Sequence, residues 1–190
     1  IFESLLSGNS GGADCTATTP GLNWSAGYNL IQNRGTCTTT ATDLHDVDPL
    51  LAVLADNGCS ASARLPDGSC APTRAIGQSG SGSGGGFVRT ASPALDASLC
   101  LEGPGLTDAR GVVRPQEIPF AGNAATPCDI GAFEASDSDG DGITDEYDQC
   151  LGIDASGDAD ADHVCTDRDD DDGDPAVGVS LFADGFELRN

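Results

Sequence analysis

Between Asp137 and Asp174 the chain carries fifteen aspartates and one glutamate against a single arginine, Arg168. The first part reads Asp137-Ser-Asp139-Gly-Asp141-Gly142-Ile-Thr-Asp145-Glu-Tyr-Asp148, which puts carboxylates at positions 1, 3, 5, 9 and 12 of a loop with glycine at position 6. A hard cation such as Ca²⁺ takes six to eight oxygens at roughly 2.3–2.6 Å, and a chain wrapping one ion turns alternate side chains inward before a glycine lets it bend sharply. Asp148 stands where an EF-hand loop has glutamate and is one methylene shorter. A second copy follows, with Asp158, Asp160, Asp162 and Asp169 at positions 1, 3, 5 and 12 and Asp167 at position 10. It has His163 in the glycine position and Thr166 at position 9, so weaker binding or a different loop path is expected. The candidate ligands are therefore Asp137, Asp139, Asp141, Asp145, Asp148, Asp158, Asp160, Asp162, Asp167 and Asp169, and the expected cofactor is Ca²⁺.

A run of like charge is ordinarily a solvated, self-repelling linker. Three features argue otherwise here: the regular alternation, the repeat itself, and a cysteine in or just after each acidic run, Cys150 and Cys165. Without a cation, this density of negative charge is not expected to stay compact.

These residues resemble thrombospondin type-3 repeats, whose aspartate-rich loops wrap calcium with almost no hydrophobic core and are stapled by disulfides. The resemblance rests on Asp137 to Asp148 followed by Cys150, then Asp158 to Asp169 with Cys165 inside. Dockerin-like loops are the neighbouring possibility. Dockerins place a helix after each loop, and Cys-Leu-Gly-Ile-Asp-Ala-Ser-Gly from Cys150 is a poor helix.

The whole chain is acidic, with a net charge of −23 over 190 residues and no lysine. Such a chain repels nucleic acid and anionic membrane and attracts cations. With 26 glycines and 5% aromatics the expected core is thin and layered. No apolar run approaches the ~20 residues that span a bilayer. Ile1 opens inside a patterned segment, so the chain reads as a mature or truncated piece of something longer. Eight cysteines without a C-x-x-C pair argue against zinc and for disulfides, hence for an oxidising compartment such as the periplasm, cell surface or medium. Sequence-adjacent pairing (15–37, 59–70, 100–128, 150–165) would close short loops, although the number of cysteines leaves the connectivity open.

The elements that must carry the acidic segment lie upstream. Short apolar patches at Ile1–Leu6 and Ala26–Ile31 start about 25 residues apart and run into Asn- and Gly-rich turns, a repeat length typical of solenoids. Stacked short strands without helical periodicity suggest a parallel β-helix. Asp48 to Gly58 admits either one short helix, with Pro49 in its first turn, or a strand. Residues 58–86 read as a disulfide-pinned loop and a flexible glycine tract, and Phe87-Val88, Val112-Val113 and Ile130–Phe133 as three further strands.

A second resemblance emerges from Asp48-Pro49-Leu50-Leu51, Ser92-Pro93-Ala94-Leu95-Asp96, Asp108-Ala-Arg110-Gly111-Val-Val-Arg114-Pro115 and Cys128-Asp129-Ile130-Gly131-Ala132-Phe133-Glu134. Over about residues 1–134 this order is similar to the C-terminal end of bacterial right-handed parallel β-helix proteins of the choice-of-anchor Q type. The enlarged 58–86 segment and the Gln116–Thr126 region around Phe120 depart from that pattern. The resemblance implies a closing cap on an exported surface protein and no catalytic residue. Arg110 and Arg114 with Asp96, Asp108 and Asp129 read as ion pairs pinning that cap, since the guanidinium fork suits a carboxylate.

Other motifs fail on context. Gly8-Asn-Ser10-Gly-Gly12 matches a nucleophile elbow but lacks the helix and the partner histidine that elbow needs, with only His45 and His163 in the chain. Gly80-Ser-Gly-Ser-Gly-Gly85 matches a dinucleotide fingerprint by letter alone. Asn23-Trp24-Ser25 is a glycosylation sequon, given little weight because the resemblance implies a bacterial source, and Trp24, the only tryptophan, reads as a turn residue before a sugar platform. Val177 to Glu187 reads as a docking strand or sorting tail.

The sequence thus predicts an all-β chain. Residues 1–134 would be the terminal coils and cap of a right-handed parallel β-helix, 135–175 an irregular calcium-loop segment, and 176–190 a tail. It predicts a structural or adhesin-like role at the bacterial surface with no enzymatic site in this chain. Expected partners are calcium ions and a surface polysaccharide or another surface protein, with neither nucleic acid nor a membrane span. The rivals are the C-terminal fragment of a β-helix polysaccharide lyase or glycosidase, and a calcium-dependent dockerin-like module.

Overall fold

The computed structural model describes residues 1–18, 24–82, 87–100, 106–119, 121 and 127–178. Asn23, Phe120, residues 83–86 of the glycine tract and the tail from residue 179 lie outside them. Among the described residues there is no α-helix, and the strands are two to four residues long. The all-β expectation therefore holds as a class of non-helical, turn-rich structure.

Strands β1 (Leu5–Leu6), β2 (Leu30–Ile31) and β3 (Leu44–His45) pair in parallel, each with the next in sequence. The register sets Leu5 beside Leu30 and Leu30 beside Leu44. This leucine row faces the core, where Leu30 is fully buried among Ile76, Leu95, Ile118, Ile130 and Phe133. One or two apolar residues per strand suffice because the polar residues between the strands are also bonded to one another. The buried Asn29 amide donates to Ser25 Oγ (2.9 Å), Gly27 O (3.1 Å) and Asp43 Oδ1 (2.9 Å), and its own oxygen accepts from Ser4 N–H (3.0 Å). Burial opposes the Asp43 charge, but hydrogen bonds from Ser25, Thr40 and Asn29 outweigh it and hold that carboxyl at about 2.

Beyond β3 the layers change. β4 (Leu54–Ala55) and β5 (Thr73–Arg74) pair antiparallel around the Cys59–Cys70 loop, and β6 (Gln78–Ser81) and β7 (Val88–Ala91) form an antiparallel hairpin. Of the two readings for 48–58, the strand is the one realised. Asp48 Oδ1 accepts the Leu50 N–H (3.0 Å) in an Asx turn and Leu50 takes φ +52°, which stops a helix at its first turn. The glycine tract is corrected at its start: Ser79, Gly80 and Ser81 are strand residues. A Cβ on Gly80 would collide with the Phe87 ring and lie 2.8 Å from Ile143 Cδ1, so this glycine exists for close packing. Of the three later strands expected, Val88 lies in β7, Val113 makes a single bridge with Thr107, and Ile130–Phe133 form no strand.

That last segment is held by side chains. Asp129 and Glu134 are fully buried. Asp129 accepts from Asp96 N–H (2.8 Å) and Ala135 N–H (2.6 Å), and Glu134 accepts from Gln116 N–H (2.9 Å) and Asp129 N–H (3.0 Å). Arg110 pairs with Asp108 (2.9 Å) and lies over the Phe133 ring (3.4 Å to its centre), while Arg114 pairs with Glu134 (3.2 Å) and donates to the carbonyls of Asp129 and Gly131. The expected arginine pins are therefore present, with Asp108 and Glu134 as the carboxylates. Asp129 accepts backbone N–H groups in place of arginine, and Asp96 accepts from Ile118 N–H (3.3 Å).

All four cysteine pairs are sequence-adjacent disulfides, 15–37, 59–70, 100–128 and 150–165. They point to an oxidising, extracellular environment. No helix of the described residues is long and apolar enough to cross a membrane.

Burial, and then the neighbouring Glu134 and Glu117, push the Asp96 carboxyl up to about 7, and burial with Glu134 raises Asp129 well above the usual carboxylate range. A raised acid keeps its proton in the fold where the unfolded chain has lost it, so its stabilisation is complete below about 4 and fades as pH rises to about 7. Thermal unfolding in EDTA should thus show stability falling between pH 4 and 8. Asp96→Asn, which tolerates the same left-handed backbone, should flatten that fall; an unchanged slope would contradict the assignment.

Candidate metal centre

The acidic segment is built from consecutive Asx turns, in which an aspartate side chain accepts the N–H of a residue just ahead of it. Asp137 accepts from Gly140 N–H and Gly142 N–H, both at 2.8 Å. Asp139 accepts from Asp141 N–H (3.2 Å) and Asp141 from Ile143 N–H (2.7 Å). One repeat later, Asp158 accepts from Ala161 N–H (2.8 Å) and His163 N–H (3.0 Å), Asp160 from Asp162 N–H (3.3 Å), and Asp162 from Val164 N–H (2.8 Å). Both loops then close in the same way, Asp148 N–H on Thr144 O and Asp169 N–H on Cys165 O, each at 3.0 Å.

The different path expected for the second loop is corrected by this correspondence. Gly140 and Gly142 have φ of +81° and +89°; Ala161 and His163 take +64° and +71° at the same places. The loop keeps its course at the cost of two side chains in the left-handed region, about 1–2 kcal/mol each for an ordinary residue.

Each turn aims carboxylates at a common point. Oxygens of Asp137, Asp139 and Asp141 all lie within 4.8 Å of one another, as do those of Asp158, Asp160 and Asp162. Two ligands on one cation at roughly 2.4 Å are at most about twice that distance apart, so both groups can hold a metal ion. The position-12 residues stand close by. Asp148 is pushed up to about 7 by partial burial and then by Asp139 and Asp154, and Asp160 is raised by desolvation and then by Asp162, Asp169 and Asp158. Asp137 is raised by burial and by its neighbour Asp139.

Two of the expected ligands, Asp145 and Asp167, lie outside those two groups. Asp145 accepts from Ser138 N–H (2.7 Å) and from the hydroxyls of Ser136 and Ser138, tying down the start of the first loop. Asp167 accepts from Ile153 N–H (2.7 Å) and Ser156 Oγ (3.0 Å), holding the connection between the loops.

One residue was missed. Asp154, in the connection, is 6% exposed; its N–H donates to Asp141 Oδ2 (2.8 Å), and its carboxylate neighbours Asp148. Nothing in the 1-3-5-9-12 spacing marks it, and its only sequence signal is a lone acid four residues after Cys150. It also lies with the sulfurs of Cys150 and Cys165, but these form a disulfide and so offer no thiolate.

The buried oxygens test the fit to a cation directly. Asp154 Oδ2, Asp160 Oδ2 and Asp169 Oδ2 are buried without a hydrogen-bond partner. An unpaired buried carboxylate oxygen is costly, and a cation satisfies it. The donors are all oxygens, which suits a hard ion. A cleft of about 280 Å³ lined by Asp139, Asp145, Asp148 and His163 runs between the loops and gives access.

The competing motifs gain no geometry. Ser10 sits in an exposed turn, His45 pairs with Asp46 (2.9 Å) in β3, and Trp24 is 46% exposed. The geometry predicts that Asp154→Asn weakens cation binding at the first loop about tenfold or more, whereas Asp145→Asn, which leaves the central carboxylates intact, changes it less. Calorimetric titration of both variants checks this, and the reverse order would restore the ligand set read from spacing. No family model, no curated protein and no solved structure matches the chain.

Proposed function

We propose that the Asp137–Asp169 segment binds Ca²⁺ at two loops and becomes a stiff spacer on the closed end of an exported β-helix, giving the protein a structural or adhesive role at a cell surface. The observation that carries the reading is the pair of matching Asx loops, with buried, unpartnered carboxylate oxygens at Asp160 and Asp169 in the second and at Asp154 beside the first. Calcium is favoured over magnesium because the loops offer several carboxylates in irregular array, while Mg²⁺ demands near-octahedral geometry and keeps its waters. Asp137, Asp139, Asp141 and Asp148 with Asp154 would hold the first ion, and Asp158, Asp160, Asp162 and Asp169 the second. The bound ions would supply charge neutralisation, not chemistry.

What supports the β-helix part is the parallel, in-register stacking of β1, β2 and β3 with one leucine per layer facing the core. The disulfides support export, since they persist only in oxidising compartments. A dockerin-like module draws less support. Its loops need following helices, and the connection here holds one 3₁₀ turn, Asp154–Ser156.

Rigidity is the property to measure. In EDTA, a protease acting on acidic, extended chain should cut between residues 137 and 174 within minutes, and millimolar Ca²⁺ should slow that cleavage at least tenfold while equal Mg²⁺ does not. The double variant Asp137→Asn/Asp139→Asn should lose protection of the first loop. Cleavage indifferent to Ca²⁺ would reduce the segment to an acidic linker.

A further inference from the structure

The two loops share a path but not a setting. Asp141, Gly142 and Ile143 are all buried, whereas their counterparts Asp162, His163 and Val164 are partly or fully exposed; Thr144 and its counterpart Cys165 are both buried. The β6–β7 hairpin makes the difference. Thr144 N–H donates to Gln78 O (3.0 Å), and Gln78 N–H donates back to Thr144 Oγ1 (3.2 Å). The Gln78 side-chain amide donates to Gly142 O, and the Arg89 guanidinium to Asp141 O (2.9 Å). Ile143 fills the space left by the missing side chain of Gly80. Gln78 itself is 2% exposed, so its side of this junction is a buried, hydrogen-bonded seam, with Arg89 at the exposed rim.

The carbonyls captured by Gln78 and Arg89 belong to positions 5 and 6 of the first loop, the stretch whose side chains and turn define the cation cluster. A cation that fixes this stretch also fixes the acceptors on which the hairpin leans, and a formed hairpin presents the loop already shaped. Coupling of this kind is reciprocal by thermodynamic necessity.

We infer that the first loop is a regulatory contact: calcium bound there, and not at the second loop, stabilises the β6–β7 hairpin, and Gln78 and Arg89 are positioning residues that raise the first site's affinity. This rests on the calcium reading above.

Hydrogen exchange of the full chain, read residue by residue by NMR, separates the two claims. With Ca²⁺ the amides of residues 78–81 and 88–91 should exchange about tenfold more slowly, within the usual range of coupling. The protection should survive Asp158→Asn/Asp160→Asn and vanish in Asp137→Asn/Asp139→Asn. Gln78→Ala, and Arg89→Ala as a milder change, should weaken the first site several-fold and leave the second unmoved. Calcium heats with no change in hairpin exchange would overturn the coupling and leave the calcium reading standing. Protection that follows the second loop would overturn it equally. No calcium heat at all would remove both.

Discussion

The segment from Asp137 to Asp174 turns on crowded carboxylates. Fifteen aspartates and a glutamate share 38 residues with one arginine, and the Asx turns that give this stretch its shape also drive its carboxylates together. Each turn is locally favourable, because an aspartate satisfies a backbone N–H that no helix or sheet would otherwise pair. Collectively the turns desolvate the carboxylates and then set them against one another, and the two effects together raise Asp137, Asp148 and Asp160. A bound cation would relieve that conflict without breaking the turns, in a segment whose buried apolar residues are Ile143, Cys150 and Cys165.

The upstream part solves a related problem differently. Asp43, Asp108, Asp129 and Glu134 are buried there, and each is satisfied by backbone N–H groups, by amide or hydroxyl side chains, or by arginine. Short strands of two residues cannot hold a layer by ladder hydrogen bonds alone, so side chains such as Asn29, Arg110 and Arg114 carry the cross-links between passes of the chain. Six of the eight arginines lie in this part, and Asp139 and Asp141, through their carbonyls, and Glu146 of the Asp-rich segment accept from arginines. The upstream acids thus act as pins between passes of the chain, whereas those of the loops accept local N–H groups and are left crowded against one another.

How much of this was legible in the sequence follows from which interactions are local. Asx turns involve residues two to five apart, so the clusters at 137/139/141 and 158/160/162 could be read from spacing, and so could short disulfide loops. Non-local demands could not. Asp154 comes up against Asp141 and Asp148 through folding of the connection, and Asp145 accepts from the hydroxyls of Ser136 and Ser138. His163 misled in a different way: glycine is preferred at positive φ, but histidine and alanine can be held there when neighbouring hydrogen bonds fix the turn. The glycine tract misled because Gly80 makes room for Phe87 and Ile143 across the sheet, a contact that composition alone does not reveal.

The most direct measurement is a crystal structure of the chain grown in calcium, with anomalous scattering to identify the ions. The account predicts one or more ions at each loop, six to eight oxygens around each at roughly 2.3–2.6 Å, and Asp154 Oδ2, Asp160 Oδ2 and Asp169 Oδ2 drawn into coordination. Loops closed only by their N–H bonds, with those three oxygens turned to water and no ion at millimolar calcium, would contradict it.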